Sequence, residues 1–280
     1  MWIKLEICWA ISPKTLLMLV IPNISNGIRD SGTQLESNLV LKNMFRKDEW
    51  LSEQIAKSVY QLKTNDLLEN EFSQDWKEFR RDHIKENYFV FSKISTNSVN
   101  MWQCLEKANF KLIDTNIKFE LYGNISSKKK QQKDIEICFA EKKYQQATGK
   151  IAIDNFIHSR FNLDPLIDND IASQLKQAWV KNYFSGKRGD EMILALLNNE
   201  PVGFLLLLIQ DDDLFIDLIG VDKIVQRRGV ASSMIQFASK NIKRSCIKVG
   251  TQIGNLPSIK LYQKLGFVLT GSDYVFHYHS

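Results

Sequence analysis

Apolar and polar positions follow two rhythms along this chain. Leu214 to Val221 is an apolar run of strand length and β-branched flavour. Beyond it, Val230, Met234, Ile235, Phe237 and Ala238 fall on one face of a helix running from Val230 to Lys243. A strand from Cys246 to Thr251 follows, then a helix with Leu261 and Leu265 on its buried side. Upstream, the pattern predicts a strand over Ile135–Ala140, a helix over Tyr144–Phe156 and an amphipathic helix over Ile171–Tyr183. Strands over Met192–Leu197 and Val202–Ile209 follow, with turns at Asn198–Pro201 and Asp211–Asp213. Tyr274 to His279 is the last strand, so the order is β–α–α–β–β–β–α–β–α–β.

The first half is less regular. Ile11–Ile21 reads as a buried strand, Asn23–Thr33 as turn-rich, and Asn38–Leu62 as mostly helical. A polar stretch from Asn65 leads into Asp75–Glu86, a charged helix with Trp76 and Phe79 on one side. Tyr88–Ile94 reads as a strand. Leu105 to Leu112 then parallels Tyr262 to Leu269, with Asn109 where the later segment has Gly266; both residues tolerate the left-handed conformation. The first half thus reads as a degenerate copy of the second. Ser126–Lys133, with three consecutive lysines, reads as a linker. The expected organisation is an N-terminal domain over 1–125, a linker over 126–134 and a complete domain over 135–280.

Composition narrows the class. A chain of 280 residues with 44% hydrophobic and 25% charged content is ordinary for a soluble globular protein, and the element order above makes it α/β. The net charge of +5 is mild and spread, which argues against a nucleic-acid partner. Ile7–Ile21 is too short and interrupted for a membrane span and lacks a cleavage pattern, so a cytoplasmic location is expected. Cys8, Cys104, Cys138 and Cys246 lie far apart, arguing against disulfides or a zinc site, and no metal constellation appears among the four histidines.

The chemistry concentrates in Gln226-Arg227-Arg228-Gly229-Val230-Ala231, a basic loop between a strand and a helix. Unpaired amides and the helix dipole favour an anion there, and Gly229 admits it close to the backbone. The loop lacks a Walker lysine and the dinucleotide glycine pattern. Further on, Asn255 and Tyr262 are two helical turns apart, Pro257 suits the first turn and Gly266 the helix end. Together these two signatures, in this order, resemble those of the GNAT N-acetyltransferases over residues 135–280. His158-Ser159-Arg160-Phe161 and Thr251-Gln252-x-Gly254-Asn255 are also similar to the dTDP-fucosamine acetyltransferase family, which pairs a reduced first half with a full second domain.

The resemblance implies a GNAT fold, a mixed central sheet flanked by helices and preceded by a smaller GNAT-like half. It implies acetyl-coenzyme A as co-substrate and no metal. Gln226, Arg227, Arg228, Gly229, Val230 and Ala231 would hold its pyrophosphate. The backbone of Leu218, Ile219, Gly220 and Val221 would take its pantetheine arm and acetyl carbonyl. Asn255 and Lys264 would contact the coenzyme, and Tyr262 would be the general acid for the departing thiolate. His158 and Arg160 would meet the acceptor, a small-molecule amine on a nucleotide-linked sugar. Asp217 is a candidate base, with a structural role as its alternative. A protein N-terminus or small polyamine is the competing acceptor, a non-catalytic coenzyme A-binding protein a third reading, and a homodimer is left open.

Overall fold

The computed structural model describes residues 44–64, 69–123, 125, 134–155 and 159–280. The expected strand at 11–21, the turn at 23–33 and residues 126–133 of the expected linker lie outside them. The chain forms two compact units that do not divide at that linker. One holds the described residues up to Leu112 together with Tyr274–Ser280; the other is Ile113–Asp273.

The first unit opens with β1 (Phe45–Lys47), α1 (Glu49–Ile55) and β2 (Ser58–Leu62). Of the helix expected over Asn38–Leu62, the described residues keep the seven of α1, with a strand on either side. Leu51, Ile55, Val59 and Leu62 keep a helical spacing across the break, so periodicity alone runs on. The left-handed Ala56 ends α1, and β2 gains more by pairing with its neighbour. It lies antiparallel to β1 and parallel to β3 (Tyr88–Ser95), to which it is joined by α2 (Glu69–Asp82). Helix α3 (Val99–Lys107) follows. Phe72, Trp76 and Phe79 of α2 pack with Tyr60, Tyr88 and Phe110 into a largely aromatic core.

The second unit is built on strands in the order β4-β9-β8-β7-β6-β5. They are β4 (Lys111–Tyr122), β5 (Ile135–Phe139), β6 (Glu191–Leu197), β7 (Glu200–Gln210), β8 (Asp213–Val221) and β9 (Cys246–Gln252). Helices α4 (Gln145–Asn155), α5 (Arg160–Leu163) and α6 (Asn169–Phe184) lie between β5 and β6. Strands β5 to β8 form an antiparallel meander, turned at β6–β7 by Asn198 and Asn199, both with positive φ. Helix α7 (Val230–Asn241) links β8 to the parallel β9, α8 (Leu256–Leu265) follows, and β10 (Val268–His279) closes the chain. Short α5 replaces the expected loop after His158, and β10 begins six residues before the expected Tyr274, continuing directly from the helix end.

The sequence parallel between the halves has a physical counterpart. Each half contains two parallel strands joined by a helix, then a helix, a left-handed residue and a strand. At the end of α3 the Phe110 amide donates to Leu105 O at 2.9 Å and Asn109 to Glu106 O at 2.9 Å. At the end of α8, Phe267 donates to Tyr262 O at 3.0 Å and Gly266 to Gln263 O at 3.1 Å. Both are the same helix-terminating motif, with φ of 67° at Asn109 and 91° at Gly266. The closing strands are exchanged: β4, which ends the first half, pairs antiparallel with β9 over seven positions, while the last residues of β10 belong to the first unit.

Gly266 has room for a methyl group, the nearest atom to a Cβ being Leu121 Cδ1 at 3.6 Å, so the cost of substitution there is conformational. Gly266→Ala is expected to lower stability by about 1 kcal/mol, and Asn109→Gly to leave it near the wild-type value. Urea denaturation of the two variants checks this; equal losses would contradict the shared motif.

Candidate active site

The site is made where two strands stop pairing. Strands β8 and β9 are hydrogen-bonded only from Asp213↔Cys246 to Ile216↔Val249. Beyond that point both continue, β8 to Val221 and β9 to Gln252, without pairing to each other. A β-bulge lies at the same level: Leu206 pairs with Leu218 but Leu207 with Ile216, so Asp217 is an extra residue in β8. Such a residue bends its strand and increases its twist. The segment Leu218–Val221 therefore keeps β7 on one side and leaves its other edge facing a notch. At the paired root, Lys248 Nζ lies 2.7 Å from Asp213 Oδ2.

The strand equivalents in the first half behave differently. Strands β2 and β3 stay in register from Ser58↔Tyr88 to Leu62↔Ser92, the last residue of β2, and the Ser92 hydroxyl donates to Leu62 O at 3.0 Å. Among the described residues, only the β8–β9 pair opens this way.

The loop after β8 aims at the same end of the sheet. A 3-10 turn over Lys223–Val225 is capped by Asp222, whose carboxylate accepts the Ile224 amide at 2.9 Å. Gln226 Nε2 donates to Val221 O at 3.1 Å, tying the loop to the end of β8. Arg227 (φ 62°) and Gly229 (φ 86°) are both left-handed, and Gly229 caps α7 with no side chain. Alternation of this kind turns successive amides the same way. The amides of Gly229, Val230, Ala231 and Ser232 have no hydrogen-bond partner among the described residues, and Ser233 is the first to bond back, to Gly229 O at 3.0 Å. A Cβ built on Gly229 would meet nothing within 4 Å, so the space over these amides is open. Arg227 is exposed, whereas Arg228 is paired with Asp134 and holds that carboxyl below the usual carboxylate range.

Asn255 caps α8. Its Oδ1 accepts the Ser258 amide at 3.4 Å and its Nδ2 donates to Thr251 Oγ1 at 3.2 Å, fixing the helix to the end of β9. Tyr262 lies on the buried side of that helix, 2% exposed, with its ring 5.9 Å from Phe119 of β4 and 5.5 Å from Phe267. Burial alone pushes its phenol well above the ordinary value of about 10. Lys264 is exposed on the same helix. Thus the fold brings Leu218–Val221, Gln226–Ala231, Asn255 and Tyr262 onto the splayed strands β8 and β9 and the helices that follow them.

The acceptor-side expectations resolve less fully. His158 lies outside the described residues. Arg160 starts α5, its guanidinium 4.5 Å from the Phe161 ring centroid. Next to it runs an alternation of cations and rings that sequence reading missed. Lys176 Nζ sits 3.8 Å from the Trp179 centroid, and the Arg188 guanidinium 5.3 Å from the same ring. Arg188 then grips Asp217 through two bonds, Nε to Oδ2 at 2.8 Å and Nη2 to Oδ1 at 2.7 Å. Asp217 is thus fully engaged in an ion pair. A lone carboxylate in an apolar strand run was the available signal that a buried cation had to answer it.

Comparison with known proteins agrees with this architecture. The fold is that of acetyltransferases: a GCN5-related N-acetyltransferase from Kribbella flavida has a TM-score of 0.56 at 10% identity, covering 90% of this chain and 96% of that one. Residues 157–267 match the model of the Acetyltransferase (GNAT) family. Spore coat polysaccharide biosynthesis protein SpsD of Bacillus subtilis (strain 168) is 30% identical over 135 residues, 47% of this chain and 46% of that protein. Streptothricin acetyltransferase of Escherichia coli is 33% identical over 111 residues, 37% of this chain and 64% of that protein. The chain spans less than two thirds of either curated relative.

Val at position 229 would fill the open space over the amides and strain a left-handed residue. Gly229→Val is expected to abolish coenzyme A binding measured by calorimetry while the thermal unfolding transition persists. Unchanged affinity would contradict the expectation that this loop holds the pyrophosphate.

Proposed function

We propose that this chain is an N-acetyltransferase that moves the acetyl group of acetyl-coenzyme A directly to a primary amine. The observation that carries the reading is the notch between β8 and β9, with unpartnered amides at the start of α7 beside it, inside the segment that matches the family. Gly229 to Ser232 would hold the pyrophosphate through their amides, aided by Arg227. The free edge of Leu218–Val221 would receive the pantetheine arm as an extra strand would be received. It would also hydrogen-bond the acetyl carbonyl as negative charge grows on it.

In the reaction the amine nitrogen bonds to the acetyl carbon, the carbon–sulfur bond breaks, one proton leaves nitrogen and one reaches sulfur. Tyr262 is our candidate donor of the second proton. Asp217 does not serve as base here, since Arg188 occupies both its oxygens; water carries the first proton away.

For the acceptor we infer an amino group on a nucleotide-linked sugar. The support is the likeness to a polysaccharide biosynthesis protein and the half-buried Arg160 stacked on Phe161 at the start of α5. The likeness to streptothricin acetyltransferase favours a free small amine instead. Thiol release from acetyl-coenzyme A, assayed with amino-sugar nucleotides, polyamines and peptides, separates them: release only with the sugar nucleotides supports the first, and no release with any amine sinks the enzyme reading.

Tyr262→Phe keeps the ring packing and removes only the hydroxyl. Turnover should fall by roughly 10²–10⁴, with kcat and kcat/KM falling together and coenzyme affinity little changed. Because burial raises the folded-state pKa above the unfolded one, the neutral phenol's contribution to stability is complete below about pH 10 and is lost as pH rises through the folded value. No alkaline limb in kcat below about pH 10 should therefore belong to Tyr262; a limb present in the wild type and abolished in the phenylalanine variant would contradict this.

A further inference from the structure

We infer that Arg188 is a positioning residue for acetyl transfer: its buried fork on Asp217 holds the β8 bulge, and through it the free edge of Leu218–Val221, in the alignment that the acetyl carbonyl needs. The inference rests on the acetyl-transfer reading above. Three observations converge on it. Asp217 is the extra residue of the bulge, and β8 leaves β9 immediately before it, at Ile216↔Val249. Both carboxylate oxygens are taken by Arg188, and the two side chains are only 9% and 2% exposed. Finally, the segment that carries Arg188 is itself tied to the same level of the meander: the Asp190 amide donates to Leu207 O at 2.9 Å, and the Asp190 carboxylate accepts the Ile209 amide at 2.7 Å.

The geometry explains why the cation is an arginine. A bulge leaves its extra residue outside the ladder, so the strand has no backbone bond to fix its rotation there. Two parallel N–H···O bonds from a planar guanidinium fix the carboxylate plane, which a single ammonium contact does not. The face of Trp179 lies 5.3 Å from the guanidinium. That leaves Arg188 set from one side by the ring and Asp217 set by Arg188. Neither residue needs to touch the reacting atoms; together they set where the edge amides of β8 stand.

Removing one partner would strand a buried charge, so the decisive variant removes both. Arg188→Met/Asp217→Leu keeps volume without charge, a replacement that cores often accept without loss of stability. Arg188→Lys keeps the charge and loses the fork. Three readouts are compared in the full chain: coenzyme A affinity by calorimetry, amide hydrogen exchange over residues 217–221 and 226–231, and kcat with the best amine. The double variant should keep coenzyme A affinity, exchange faster over 217–221 but not over 226–231, and lose about 10²-fold in kcat. Arg188→Lys should lie between it and the wild type. Raising the pH until the amine is neutral should not restore the double variant, because the defect is alignment rather than proton removal. Wild-type kcat in the double variant overturns the inference. So does a parallel loss of coenzyme A affinity and kcat, which marks the pair as a general support. Recovery at high pH overturns it in favour of Asp217 as a base. A wild-type chain that binds coenzyme A but acetylates no amine is the failure of the proposed function itself, and is read before any variant.

Discussion

Two parallel strands that begin paired and then part impose the constraint on which the candidate site depends. A sheet ladder normally satisfies every backbone donor and acceptor, and edge groups left bare inside a fold are costly. Here β8 leaves β9 after four paired positions, at a bulge, with a buried ion pair at the departure point. Breaking such a pair by deleting one partner costs about 3–5 kcal/mol, yet replacing both by apolar groups is often neutral. Stability alone therefore does not account for keeping Arg188 and Asp217. Control of direction does: an apolar pair would fill the volume but would leave the rotation of the bulge unset.

The same constraint explains how the two halves differ. In the first half the parallel pair β2–β3 stays closed to the last residue of β2, and Ser92 adds a side-chain bond across the end. With the ladder complete there is no free edge to offer a pantetheine-like strand. What remains of the repeat is architecture: the helix-ending motifs at Asn109 and Gly266 match bond for bond. The first half also contributes β4, whose Asn116–Tyr122 segment pairs with β9 and whose Phe119 packs against Tyr262. The strand on the far side of β9 from the notch is thus β4.

What the sequence made legible is local chemistry. Gly229 and Gly266 stand where a positive φ is required, Pro257 falls in the first turn of α8, and the apolar spacing of Val230, Met234 and Ile235 marks the face of α7. Each signal is carried within a few residues. The features that stayed hidden depend on partners far along the chain. Asp217 looked like a candidate base because Arg188, which neutralises it, is 29 residues away. The bulge leaves no mark on the apolar run from Leu214 to Val221. The exchange of β4 and β10 joins residues more than a hundred positions apart, so no periodicity reports it. In the span from Phe45 to Leu62 the helical spacing of apolar residues persists through a strand, and only pairing with β3 decides the matter.

The burial of Tyr262 sharpens the proposed chemistry. A free thiol of about 8.5 is more acidic than a phenol of about 10, so in water a thiolate would not take the phenol's proton. Burial makes the phenol a still weaker acid. The sulfur, however, would become a thiolate in the same apolar surroundings, and desolvation raises the basicity of any anion formed there. The two values rise together, and the gap between them need not widen. Burial favours the neutral phenol, which is the form a proton donor needs. In the proposed role the hydroxyl would be a hydrogen-bond donor held in place before charge appears on sulfur, and its interaction would strengthen as the carbon–sulfur bond lengthens. That would be stabilisation made mainly in the transition state. It would require the ring to be held while the proton passes to sulfur, and Phe119 and Phe267 pack against that ring.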